Sequence, residues 1–234
     1  MNSEPSRIKV KVNERDSVTA LLYPVAKNNR AGITVILGHG AGADQHSSFM
    51  QRFASGLGAR GFDALTFNFL YTEQGRRGAP DHKTKLEACY RAVIETAQKQ
   101  RTLKANRLAI GGKSMGGRIA SQVAAEDGEG IAALVFLGYP LHPPGNPAKM
   151  RDAHLEHIKA PMLFMQGTRD SFGSPDELRE VIKRLKLPAT LSLIEGGDHS
   201  FKVPKSSPLT QDQVHESAMD EISNWLRYKV QSAI

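Results

Sequence analysis

Two kinds of hydrophobic pattern divide the chain. Near the start, residues 7–12 (RIKVKV) and 18–25 (VTALLYPV) alternate apolar and polar side chains. A period of two suits half-buried strands, and the pair reads as an antiparallel ribbon at a sheet edge. Beyond them the alternation stops. Six short, nearly continuous apolar runs follow: ITVIL, ALTFNF, RLAI, ALVFLG, PMLFMQ and TLSLI. Runs apolar on both faces suit strands buried inside a largely parallel sheet.

Helical spacing appears between the runs. Leu86, Tyr90, Val93 and Ala97 form one stripe, and Leu178, Val181, Ile182 and Leu185 a second. Ser174-Pro175-Asp176-Glu177, just before the second stripe, has the form of a capping box with proline at the first helical position. Val214, Ala218, Ile222, Trp225 and Leu226 make a last amphipathic helix, with Trp225 on its core side. Strand and helix alternate through the chain, which predicts a doubly wound α/β fold with a mostly parallel sheet. Ligands bind such sheets at the carboxyl ends of the strands, so chemistry is sought just after each apolar run.

After RLAI comes Gly-Gly-Lys-Ser-Met-Gly-Gly, residues 111–117. A phosphate-binding loop needs glycine five residues before the Gly of Gly-Lys-Ser, and Arg107 stands there. The residues between are mainly the strand itself, so the nucleotide reading fails. Gly112-Lys113-Ser114-Met115-Gly116 fits instead the Gly-x-Ser-x-Gly elbow, which forces a serine into a sharp strand-to-helix turn and needs small residues two before and two after it. A strand precedes it and a helical pattern (RIASQVAAE) follows, as that turn requires.

A serine hydroxyl needs a base, and the base an orienting acid. In this architecture they follow later strands in the order acid, then histidine. Gly167-Thr168-Arg169-Asp170 follows PMLFMQ, and Glu195-Gly196-Gly197-Asp198-His199 follows TLSLI. The expected roles are Ser114 as nucleophile, His199 as general base and then acid, and Asp170 as orienting carboxylate. Asp198 competes for the last role, but adjacent side chains diverge. The amide of Met115, directly after the nucleophile, is one expected oxyanion donor, and the amide of Ala41, in the small-residue loop after ITVILG, the other. Gly38-His39-Gly40-x-x-Ala43 also fits a dinucleotide fingerprint. That fold wants an acid at the carboxyl end of the next strand, whereas Asp63 sits at its start.

Composition narrows the picture further. The 234 residues, 40% hydrophobic, suffice for one α/β domain spanning 1–234. The net charge of +7 is dispersed and interleaved with acids, so no nucleic-acid partner is expected. No stretch reads as a signal peptide or a membrane span, and the single Cys89, beside core positions of a helix, forms no internal disulfide. A cytoplasmic protein without a membrane partner is the expectation. His154 and His157 lack a third ligand and read as surface histidines rather than a metal site.

Taken together, LGHGAGAD, GGKSMGGR, GTRD and GGDHSF resemble the serine α/β-hydrolase superfamily, near its dienelactone-hydrolase-like branch. More narrowly, the chain looks like a small group holding a testis-expressed hydrolase-like protein and a subunit of a chromatin acetyltransferase complex. The resemblance implies an eight-stranded sheet, a Ser–Asp–His triad and no cofactor. Dienelactone hydrolases proper carry Cys at the elbow, where this chain has Ser114. The segment YPLHPPGNPAKMRDAHLEHI is too short for a lid domain, so the site is expected to be shallow. Tyr71, Arg76, Arg77 and Lys113 are expected around its mouth, favouring a small acyl substrate with negative charge. The expected activity is hydrolysis of an ester, thioester or related acyl bond through an acyl-enzyme on Ser114. The alternative is a hydrolase-fold interaction module whose triad is a relic, as the scaffolding role of some members of the narrower group implies.

Overall fold

A computed structural model of the chain describes residues 4–23, 25, 27–76 and 79–231. Strands β1 (Ser6–Lys11) and β2 (Ser17–Tyr23) form the expected antiparallel ribbon, with Ser6 opposite Leu22 and Lys11 opposite Ser17. The six apolar runs become β3 (Ile33–Gly38), β4 (Asp63–Phe67), β5 (Arg107–Lys113), β6 (Ile131–Leu137), β7 (Met162–Gly167) and β8 (Ala189–Ile194). All join one eight-stranded sheet in the order β1-β2-β4-β3-β5-β6-β7-β8. It is mostly parallel, with two antiparallel pairs, β1–β2 and β2–β4.

Every residue of β3, β4 and β7 is buried, because helices cover both faces of the sheet. On one face lie α1 (Ser48–Ala59) and α6 (Gln211–Leu226), whose Met50, Phe53, Leu57, Val214, Ile222 and Trp225 pack with Val35, Leu37, Val135 and Leu163. On the other lie α3 (Lys83–Lys99), α4 (Met115–Glu126) and α5 (Pro175–Arg184). Their Leu86, Tyr90, Val93, Ile119, Val123, Leu178 and Val181 meet Ile36, Phe67, Phe136 and Phe164. A single turn of helix, α2 (Leu70–Glu73), follows β4.

Two elements differ from the sequence pattern. TLSLI was expected to be buried on both faces, but β8 closes the sheet edge and is mostly half-exposed, Leu193 retaining 37% of its surface. The helix α1 was not expected: Met50, Phe53, Ala54 and Leu57 fall at helical spacing and are buried, but Gly56 and Gly58 beside them lower the helix propensity of the segment. The capping box of α5 forms as read, with the Ser174 hydroxyl accepting from the Glu177 amide and the Glu177 carboxylate accepting from the Ser174 amide.

Between β6 and β7 the chain makes one short 3-10 turn, Leu155–His157, and among the described residues no lid domain covers the strand ends. Among the described residues no helix is long and apolar enough to cross a membrane. The acid of the dinucleotide pattern, Asp63, is buried at the amino end of β4. There it accepts from Arg30 at 3.0 Å and Asn106 at 2.8 Å, far along the strand from where a ribose would lie.

Candidate active site

The strand-to-helix turn that carries Ser114 is a meeting of three glycines. Gly38 ends β3 opposite Gly112 of β5, and the first turn of α4 brings Gly116 onto the same spot. A Cβ at either Gly112 or Gly116 would run into the Gly38 backbone. Gly112 also has φ +145°, a conformation that side-chain-bearing residues rarely adopt. The tight turn leaves Ser114 at φ 50° and ψ −114°, a strained backbone for a non-glycine residue. Beneath it, the buried Tyr90 phenol bridges the Ile36 carbonyl and the Gly111 amide, tying β3 to β5.

From this turn the Ser114 hydroxyl lies 2.8 Å from His199 Nε2. His199 Nδ1 lies 2.8 Å from Asp170 Oδ2. Asp170 is buried, and all its other partners donate: the Gln166 side-chain amide reaches Oδ2 at 2.9 Å and the Phe172 amide reaches Oδ1 at 2.8 Å. A carboxylate can only accept, so Nδ1 carries the imidazole proton and Nε2 is left to accept from the serine. Asp198 does different work. Its Oδ1 accepts from the amides of Ser200 and Lys202, closing the turn that carries His199. That turn is anchored by Phe201, held at φ 62° and fully buried against Phe49 and Phe53. Phe172 stacks on the imidazole at 4.0 Å between ring centroids.

The two amides singled out as oxyanion donors flank this serine. Met115 is the first residue of α4, so its N–H has no acceptor within the helix, and the helix's positive end faces the hydroxyl. Gly40 packs beside Ser114, close enough that a Cβ there would stand 3.7 Å from the serine Cβ. The following peptide is aligned by His39. The Phe69 amide donates to His39 Nε2 at 3.2 Å, so Nδ1 bears the proton and donates to the Gly40 carbonyl at 2.8 Å. Burial lowers the His39 pKa, which favours this neutral ring. The Ala43 amide donates to the same carbonyl at 3.1 Å. In a trans peptide the N–H points away from the C=O, so the Ala41 N–H is turned opposite to the buried His39.

Around the mouth the placement is mixed. The Tyr71 hydroxyl donates to the Ala41 carbonyl at 2.8 Å, bracing the loop rather than facing solvent. Arg76 pairs with Asp81 at 2.6 Å. Both line an open cavity of about 610 Å³ that begins at Ala41 and runs past Asp44, Ser47 and Thr72. Arg77 lies outside the described residues. Lys113 departs from expectation: it is buried, and its ammonium donates to the His199 carbonyl at 2.6 Å instead of standing at the rim. Burial brings its pKa down to about 8, with Asp170 and Asp198 opposing the drop.

Residues 31–227 match the sequence profile of the alpha/beta hydrolase domain. The chain belongs to the alpha/beta hydrolase family. Its fold is shared by a dienelactone hydrolase from Anabaena variabilis, 21% identical over 97% of this chain and 100% of that one, with a TM-score of 0.74. A serine hydrolase without a lid from Xanthomonas campestris is 18% identical over 99% and 96% of the two chains, with a TM-score of 0.68. An esterase from Pyrococcus furiosus is 18% identical over 97% and 92%, with a TM-score of 0.72. At these identities the likeness is one of fold.

Several supporting residues of this hydrolase-family site escaped the sequence reading. His39 was read only as part of a nucleotide decoy, and Gln166 and Phe172 were not singled out. Each has at least one partner distant in the chain, Phe69 for His39, Tyr139 for Gln166 and His199 for Phe172, and spacing carries no signal of these. His154, expected on the surface, is half-buried, with Nε2 2.7 Å from the Ser121 hydroxyl, while His157 is exposed. Among the described residues no cluster of three or more histidines, cysteines or carboxylates is arranged to hold a metal ion.

Proposed function

We propose that the protein is a serine hydrolase that cleaves an ester, thioester or related acyl bond of a small substrate through an acyl-enzyme on Ser114. The observation that carries this reading is the unbroken relay from the Ser114 hydroxyl through His199 to Asp170, at 2.8 Å for each link. A scaffold with a relic site has no need to keep a strained serine aimed at an imidazole of defined tautomer.

In the proposed cycle, Ser114 Oγ attacks the acyl carbon while His199 Nε2 takes the hydroxyl proton. The oxyanion that forms lies between the Met115 and Ala41 amides. As the tetrahedral intermediate collapses, the bond to the leaving group breaks and His199 returns the proton to that group. Water then repeats the sequence: His199 removes its proton, the hydroxide adds to the acyl carbon, and Ser114 leaves as a hydroxyl carrying that proton. Asp170 remains a carboxylate throughout, holding the ring and offsetting the imidazolium charge. The cavity beginning at Ala41, with Tyr71 and Arg76 in its walls, is where we place part of the substrate.

Steady-state kinetics on a panel of short- and long-chain esters and thioesters tests the reading. Ser114→Ala is expected to lower kcat by about 10⁶, and His199→Ala nearly as much, because the three groups act as a unit. Turnover that survives either substitution within about tenfold contradicts the proposal, and a panel with no turnover by folded wild-type protein favours the interaction-module alternative.

A further inference from the structure

Lys113 is a charged residue in a place that disfavours charge. It is the last residue of β5, next to the nucleophile, and only 8% exposed. Among the described residues no carboxylate lies within ion-pair distance of its ammonium. A buried charge without a close partner opposes folding, and an apolar side chain of similar length would fill the space more favourably. The ammonium nevertheless has a definite target, the main-chain carbonyl of His199 at 2.6 Å. Gly138, at φ +69°, makes room for this contact: a Cβ there would stand 2.7 Å from the His199 carbonyl and 3.2 Å from the Lys113 nitrogen.

Adjacent residues thus grip the same histidine at two points. Ser114 meets its ring and Lys113 meets its backbone. We infer that Lys113 is a positioning residue, whose ammonium fixes the loop after β8 so that the His199 ring stays within hydrogen-bond reach of Ser114. This rests on the serine-hydrolase reading for its kinetic consequences, but the grip itself is a property of the fold.

The groups that face the ammonium are few. Asp170 approaches from the loop after β7, Asp198 and His199 from the loop after β8, and the uncharged Phe49 ring from α1, with its centroid at 5.8 Å. The two carboxylates attract the charge, and burial outweighs them, leaving the group to titrate at about 8. Losing the proton turns a charge-assisted hydrogen bond into a neutral one of roughly half the strength. The hold on His199 therefore weakens as pH rises through that value, and full activity needs the protonated form.

The test uses the full chain with Lys113→Met and Lys113→Arg, a neutral ester followed by pH-stat, and thermal unfolding at pH 7. In wild type kcat is expected to fall about tenfold between pH 7 and 9.5, centred near 8, with KM within about twofold. Lys113→Met should lose about 10- to 100-fold in kcat at pH 7, keep KM, show no fall near pH 8, and melt no lower than wild type. Lys113→Arg keeps a donor that does not titrate in this range, so it should recover most of the neutral activity and hold it at pH 9.5. A flat wild-type profile with an unchanged kcat in Lys113→Met overturns the inference. So does a loss confined to KM, or a Met variant that melts several degrees lower with no recovery by Arg. If folded wild type neither turns over nor reacts with a fluorophosphonate at Ser114, the hydrolase reading falls and the grip is judged by amide hydrogen exchange. The Asp198, Phe201 and Lys202 amides, bonded within the loop, should then exchange faster in Lys113→Met. Unchanged exchange there overturns the inference as well.

Discussion

At the residue scale, the site was legible where chemistry dictates residue types and hidden where it dictates only contacts. Ser114, Asp170 and His199 could be picked out together because the Gly-x-Ser-x-Gly turn and the expected order of acid then histidine after later strands point to them, and the structure brings their side chains within 2.8 Å of one another in turn. Gly112 and Gly116 were found because the elbow leaves no room for a side chain. His39 and Gln166 each reach a partner distant in the chain, Phe69 for one and Tyr139 for the other, and no motif in the sequence marks them. Lys113 was misplaced at the rim because lysines are ordinarily solvated, and nothing in the sequence shows that Phe49 and the loop after β8 close over this one. Its burial has a thermodynamic consequence with a definite sign. Below pH 8 both the folded and unfolded states carry its proton, and the net cost of the charged form in the fold, about 3 kcal/mol after the attraction of Asp170 and Asp198, opposes folding. Between about 8 and the ordinary 10.5 the folded chain has released the proton while the unfolded chain keeps it, so stability rises with pH across that window. Urea unfolding of wild type and Lys113→Met at pH 7 and pH 9.5 isolates the effect. Relative to the variant, wild type should gain about 2 kcal/mol on going to the higher pH. No relative gain means that the ammonium is not desolvated as its surroundings imply.

At the scale of elements, patterns of two kinds were read with unequal success. The buried strands announced themselves as continuous apolar runs, and α3, α5 and α6 as stripes with the proper spacing. α1 was hidden by two glycines of low helix propensity, one of which serves packing: a Cβ on Gly56 would collide with the Met219 side chain of α6. β8 misled because composition reveals apolarity but not position in the sheet, and the order that puts β8 at the edge follows from connections between strands. The elbow is where three elements press together, α4 over the ends of β3 and β5. Gly116→Ala places a methyl against the Gly38 backbone, which has no flexible end to move aside. Such overpacking is expected to cost about 3 kcal/mol and to displace Ser114. A denaturation midpoint within about 0.5 kcal/mol of wild type, with kcat unchanged, would show that α4 can slide and that the contact does not define the turn.

For the whole molecule, the doubly wound pattern anticipated the outcome closely: one mostly parallel sheet, helices on both faces, an antiparallel ribbon at one edge and short connections after β6 in place of a lid. What periodicity could not supply is the order of strands, and the order is what brings the loops after β5, β7 and β8 together at one end of the sheet. β5, β6, β7 and β8 are consecutive neighbours. The loops after β7 and β8 are joined by backbone contacts such as the Arg169 amide to the Gly197 carbonyl at 2.8 Å. The three side chains of the relay, distant in sequence, converge because that end of the sheet is built once, with the loop after β3 completing it. The most direct test of this convergence is intact-protein mass spectrometry after treatment with a fluorophosphonate, followed by peptide mapping. The account predicts one phosphonyl group per molecule of wild type, on Ser114, slowed severely in His199→Ala and absent in Ser114→Ala. A folded wild-type protein that takes up no label, or takes it up elsewhere, contradicts it.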